Sequence, residues 1–139
     1  MGIILDSSIL IAAEREHFDL ERMLRDLDPK TRVGIAAITA AELLHGVGRA
    51  NTPERRVKRE QYVEAALGKF PIFGFELAEA REYSRLWLLL QASGWTVSPH
   101  DLLIAATCVR RGFTAATLNT VEFSRVPDLQ LLDVARYVR

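Results

Sequence analysis

Disulfide chemistry is absent from this chain, because Cys108 is the only cysteine among its 139 residues. No intrachain bridge can form, and no CxxC pair exists for zinc or redox work. A reducing, cytoplasmic compartment is therefore expected. Long apolar runs are missing too. None approaches the ~20 residues that span a bilayer, and Asp6 breaks the apolar N-terminal stretch early, which argues against a signal peptide. No membrane contact is expected. Net charge is also lacking, since Lys plus Arg is 18 and Asp plus Glu is 18. This excludes a domain that grips nucleic acid by bulk positive charge. The chain has no GxxxxGK phosphate loop and no HExxH zinc motif.

What is present is apolar material, 49% of the chain, enough for a sizeable core. The length suits one domain over residues 1–139. The zero charge is a balance of opposed regions. Residues 1–48 carry 5 basic and 8 acidic side chains, residues 49–69 carry 6 and 3, residues 70–109 carry 2 and 4, and residues 110–139 carry 5 and 3.

Short apolar runs alternate with amphipathic stretches. Strands are expected at 3–5, 33–36, 72–75, 113–118 and 129–132. Helices are expected at 8–16, 20–27, 38–47, 53–67, 76–91 and 99–111. In the fifth helix, Leu77, Ala80, Trp87 and Leu90 share one face. The sixth is apolar all round from Leu102 to Ala106, which predicts burial. Short apolar strands separated by helices imply a three-layer α/β/α sandwich with a parallel central sheet. Such folds bind ligands beyond the carboxyl ends of their strands.

Four acids stand at those junctions: Asp6, Glu42, Asp101 and Glu122. Helix capping is the plainer reading, since Thr39 with Glu42, Ser98 with Asp101 and Asn119 with Glu122 all have capping-box spacing. As a group they point to chemistry. Carboxylates brought close together repel, and a hard divalent cation such as Mg²⁺ or Mn²⁺ relieves the repulsion. A carboxylate-held ion with bound water is suited to phosphodiester hydrolysis. Glu42 and His45 form a Glu-x-x-His pair, but a di-iron bundle needs a second copy and none exists. His45 and His100 then read as surface or packing residues.

The segments Ile3-Ile4-Leu5-Asp6-Ser7-Ser8, Ile38-Thr39-Ala40-Ala41-Glu42, His100-Asp101-Leu102-Leu103-Ile104-Ala105-Ala106 and Thr117-Leu118-Asn119-Thr120-Val121-Glu122 occur in that order along nearly the whole chain. Together they resemble the four motifs of PIN-domain nucleases, and the length resembles the VapC-type toxin ribonucleases of toxin–antitoxin pairs. The resemblance implies a PIN-like fold and a Mg²⁺- or Mn²⁺-dependent endoribonuclease with four catalytic acids. Asp6 and Asp101 would hold the metal, and Glu42 and Glu122 would ligate directly or through water. Ser7, Thr117 and Asn119 are implied as supporting polar groups. Glu122 departs from the family pattern, where Asp is commoner. The resemblance also implies an RNA substrate, a homodimer and a cognate VapB-like antitoxin, for which the apolar side chains between Phe18 and Leu27 offer a groove.

RNA would need basic groups away from the acids. Arg49, Arg55, Arg56, Lys58 and Arg59 in the positive segment are candidates, with Arg110, Arg111 and Arg125 nearer the C-terminus. A solvated helix face is the competing reading. The alternative to a nuclease is a non-catalytic, acid-pocketed module that binds a metal or a partner.

Overall fold

The computed structural model describes residues 1–139. Four strands, β1 (Gly2–Leu5), β2 (Arg32–Ala36), β3 (Ile72–Phe73) and β4 (Thr114–Ala116), form one sheet in the order β3-β2-β1-β4. Every pairing is parallel, with Ile3 opposite Val33 on one side and Thr114 on the other. The connections are helical: α1 (Ser7–Glu14), α2 (Leu20–Asp26), α3 (Ala37–Gly48), α4 (Pro53–Lys69), α5 (Leu77–Ala92), α6 (Pro99–Arg111) and the short α7 (Thr120–Phe123).

The layers follow from the period-two alternation of strand side chains. Ile3 and Leu5 of β1 join a core with Ile9 and Leu10 of α1, Met23 of α2, Leu43 of α3 and Val63 of α4. Ile4 points the other way, into a core with Leu86 and Leu90 of α5 and Leu102, Ile104 and Cys108 of α6. The expected three-layer α/β/α sandwich is therefore the observed one. As its composition requires, α6 is the most buried helix, with six buried residues. Gly34 lets β2 approach the segment before β3, because a Cβ there would lie 2.6 Å from the Pro71 carbonyl oxygen.

Some expectations need correction. Residues 129–132 form no strand. Leu131 makes one parallel bridge to Ala115, held by Ala115 N–H to Gln130 O and Leu132 N–H to Ala115 O, both 2.9 Å. Asp133 then turns the chain, its carboxylate accepting from the Ala135 N–H at 3.1 Å. The buried stripe of α5 is Glu79, Leu86 and Leu90, while Leu77 and Trp87 are exposed. Glu79 is buried because its carboxylate accepts the otherwise free Glu76 N–H at 2.8 Å, an acidic capping arrangement. Between Phe18 and Leu27, Phe18 and Met23 lie in the core and Leu24 and Leu27 pack against it. That stretch is mainly core packing, as an amphipathic helix face usually is.

Candidate active site

The carboxyl ends of β1, β2 and β4 and the N-terminus of α6 meet at one edge of the sheet. Asp6 follows β1, one of the two inner strands of the sheet. Its backbone N–H donates to Ala116 O at 2.9 Å, which fixes it against the end of β4. Only 3% of the residue is exposed. Its Oδ2 accepts two hydroxyl hydrogen bonds, from Ser8 and Thr117, each 2.8 Å. Those hydroxyls also accept backbone N–H groups, from Leu118 and Asn119 respectively, both at 3.0 Å. One carboxylate oxygen thus ties the ends of β1 and β4 together. The other, Oδ1, is buried and has no partner. An unpaired buried carboxylate oxygen is costly enough to require an explanation.

Glu42 lies within α3. The helix starts at Ala37, with Ala36 as N-cap, so Thr39 is an interior helical residue and not a cap. This removes the capping reading for Thr39 and Glu42. Glu42 Oε1 is also buried without a partner, and its Oε2 lies 3.5 Å from His100 Nδ1. Burial raises the Glu42 pKa; His100 opposes that rise and the Asp6 charge adds to it. Thr39 Oγ1 is a third buried atom with no partner.

Asp101 and Glu122 form a second pair. The Ser98 hydroxyl does cap α6, accepting from the Asp101 N–H at 3.4 Å. The Asp101 carboxylate is free of that cap. Its Oδ2 accepts from Asn119 Nδ2 at 3.1 Å, and the same amide donates to Glu122 Oε2 at 2.7 Å. Asn119 therefore bridges the two acids and does not cap α7 through its side chain. The other oxygen of Glu122 accepts the Ser98 N–H. Burial lifts the Asp101 carboxyl to about 7, helped by its hydrogen bond with Glu122 and by the charges of Asp6 and Glu122. Glu122 moves the other way, drawn down first by the Ser98 N–H and then by Asn119, Asp101 and Arg125.

Asp6 bears electrostatically on both Glu42 and Asp101, so three of the four acids share one field. No three acidic, histidine or cysteine side chains close around a single point. The donors still fit a hard cation. Two buried carboxylate oxygens, Asp6 Oδ1 and Glu42 Oε1, lack any donor, and the local set is all oxygen. Mg²⁺ commonly takes one or two carboxylates and keeps several waters, so it does not need a closed protein cage.

Among the supporting groups, Thr117 and Asn119 contact the acids as the sequence leads one to expect. Ser7 does not: Ser8 makes the bond to Asp6, while Ser7 lines a neighbouring groove. The adjacent serines cannot be told apart by sequence, because only the second reaches back over the helix start. The groove holds about 930 Å³ and runs from Ser7, Glu42 and His100 to Arg49 and Arg59. Arg49, Arg55 and Arg59 also line a smaller basic pocket beside it. Arg56 and Lys58 are exposed on α4. Arg125 lies at the Glu122 end of the site, donating to Thr96 O at 3.1 Å. Arg110 and Arg111 are not brought to the site. They end α6, ten residues past Asp101 and ~15 Å along the axis, and Arg111 packs over the Phe73 ring at 4.7 Å.

The PIN domain family matches residues 3–129. Ribonuclease VapC1 of Rickettsia felis is 34% identical over 97% of this chain and 98% of its own length. The tRNA(fMet)-specific endonuclease VapC of Salmonella typhimurium is 28% identical over 86% of this chain and 82% of that protein. Among solved structures, a chain of VapBC2 from Rickettsia felis bound to a promoter DNA fragment superposes with a TM-score of 0.85 at 28% identity, over 95% of this chain and 98% of that one. A chain of DNA-bound VapBC from Salmonella typhimurium gives 0.83 at 25% identity, over 95% and 97%.

Proposed function

The chain belongs to the PIN-domain family, in its VapC branch, and from that premise we propose that it is a metal-dependent endoribonuclease toxin held in check by a cognate antitoxin. The observation that carries this reading is Asp6, buried at the end of an inner strand with one carboxylate oxygen unpartnered, in the field of Glu42 and Asp101. A ribonuclease name on relatives that span nearly the whole chain supports the substrate class.

Asp6 and Asp101 would hold Mg²⁺ or Mn²⁺, with Glu42 offering Oε1. When bound, such an ion supplies an activated water and neutralises charge developing on the phosphate. Ser8 and Thr117 keep Asp6 Oδ2 occupied, so that Oδ1 faces the reaction. Asn119 holds the Asp101 carboxylate in orientation. Glu122 acts by position: its two hydrogen bonds join the Ser98 loop to Asn119 and so brace Asp101. His100 stands beside Glu42, with Nδ1 3.5 Å from Oε2, and lines the same groove. Arg49 and Arg59 offer RNA a positive wall along the groove, with Arg55 in the adjoining pocket, Arg56 and Lys58 exposed on the same helix, and Arg125 at the Glu122 end of the site. This geometry separates an acidic centre from a basic rim and agrees with a net charge of zero.

The antitoxin is VapB-like, and an apolar recess of about 400 Å³ between α1, α2 and α4 suits it, with Leu10, Phe18, Leu20 and Phe70 among its walls. A homodimer is supported by α5, whose Leu77, Trp87, Leu88 and Leu89 are all exposed. The test is cleavage of total RNA with Mg²⁺, with a chelator, and with Asp101→Asn. Metal-dependent cleavage that the variant loses is expected. Undiminished cleavage by Asp101→Asn, or none by the wild type, would sink the reading and would favour the non-catalytic module.

A further inference from the structure

Trp95 stands out from the rest of the molecule. It is one of two tryptophans and is 50% exposed, yet its backbone is firmly fixed. The C-terminus of α5 closes through Gly94, which has φ +74°, and the Trp95 N–H returns to Leu90 O at 3.0 Å. A residue in that position usually packs back on its own helix. Here the indole remains half in solvent, and its one cationic neighbour is Arg125, with Cζ 4.8 Å from the ring centre. Arg125 is held in turn by its bond to Thr96 O.

This pair adjoins the acids on both strands of chain. Trp95 is three residues before Ser98, which caps α6 over Asp101 and binds Glu122. Arg125 is three residues after Glu122 and lowers that group's pKa by its charge. An exposed aromatic face backed by a guanidinium beside a phosphodiester-cleaving centre is the combination that holds an unpaired nucleobase with its phosphate. Arg125 occupies one face of the ring, and the residue's remaining exposure leaves surface for a base. Neither side chain hydrogen-bonds any of the four acids, Arg125 donating instead to Thr96 O.

We propose that Trp95 and Arg125 form a stacking platform for one unpaired nucleobase flanking the scissile phosphate. This rests on the ribonuclease reading and deepens it. Stacking on an aromatic side chain accounts for about a ten-fold share of affinity per base and tolerates any base, since each has a π face.

The experiment uses the full chain in chelator, so that binding is read without cleavage, and a fluorescently labelled single-stranded RNA octamer followed by anisotropy. Trp95→Ala is expected to weaken binding about ten-fold at every salt concentration, without changing the slope against log salt. Trp95→Phe should restore most of the loss. In a Trp87→Phe background the emission of Trp95 should be quenched by the octamer and much less by the same sequence in a duplex. Octamers with an abasic nucleotide at successive positions should include one for which Trp95→Ala no longer matters. Unchanged affinity in Trp95→Ala, with RNA binding otherwise intact, overturns the platform and leaves the nuclease reading standing. So does a loss that tracks dissociation of a dimer in sedimentation, which would make Trp95 a subunit contact. An octamer that does not bind the wild type at all overturns the platform, while the nuclease reading stands or falls on cleavage with Mg²⁺.

Discussion

Replacing Asp6 with Asn tests the central electrostatic argument, because it separates stability from metal response. Asp6 is buried, and its Oδ1 has no donor. An amide of nearly the same shape can keep its oxygen toward the Ser8 and Thr117 hydroxyls, which supply the two 2.8 Å bonds. Its NH₂ then takes the place of the orphan oxygen, and the charge that opposes ionisation of Glu42 and Asp101 is gone. A buried amide nitrogen needs an acceptor as much as a buried carboxylate oxygen needs a donor, so that position counts as no gain. A like-charge pair ~6 Å apart at an effective dielectric of 20 repels by ~3 kcal/mol. Against this stands a less well matched pair of hydroxyl bonds, at ~1 kcal/mol each. The expected balance in chelator is a gain of ~1 kcal/mol, or roughly 2–5 °C in Tm for a chain of this size. Titration with Mg²⁺ should then reverse the order. The wild type gains ~1.4 kcal/mol per decade of Mg²⁺ above its Kd, and Asp6→Asn should stay nearly flat. The assay is thermal unfolding by circular dichroism, with urea midpoints as a second measure. If Asp6→Asn unfolds earlier than the wild type in chelator, the buried charge is not under strain. If Mg²⁺ stabilises both proteins alike, Asp6 holds no ion.

Glu122→Asp restores the family's commoner residue but should slow RNA cleavage several-fold with little change in Tm. The shorter arm cannot reach both the Ser98 N–H and Asn119, and equal rates would remove the bracing role. Burial pushes the Cys108 thiol up to about 12 from 9.0, so the unfolded chain ionises first as pH rises. Folding stability should hold below about pH 9 and then fall toward pH 12, by up to ~1.4 kcal/mol per pH unit from this thiol. Urea midpoints that stay level from pH 8 to pH 11 would contradict this.

The strand-end acids were legible because a parallel sheet brings its carboxyl ends to one edge, and the pattern of short apolar runs gives that sheet. Much of the rest depends on contacts that one sequence does not record. Leu129–Leu132 has strand composition, yet only Leu131 meets a neighbour, at Ala115. Thr39 has capping chemistry, but α3 starts at Ala37 and encloses it. The Leu77–Trp87 face of α5 is as apolar as its buried stripe, so periodicity alone cannot say which side meets the sheet. The basic residues divide by position along their helices. Arg49 and Arg59 share the groove with Glu42, while Arg110 and Arg111 lie at the far end of α6, because the same helix carries Asp101 at its start. Asn119 and Glu122 have capping spacing and use it to bind each other and Asp101.

The bond from Thr117 to Asp6 spans 111 positions and Ser8 meets Thr117 across 109. During synthesis Asp6 and Ser8 emerge near the beginning, but Thr117 and the Ala116 carbonyl that also fix Asp6 come after four-fifths of the chain. Strand β1 also waits for β4 as its second neighbour. A growing polypeptide therefore carries the acids without an assembled centre, and such distant pairings form late. A chain that stops short of Thr117 carries Asp6, Glu42 and Asp101 without the hydroxyl and amide that orient them.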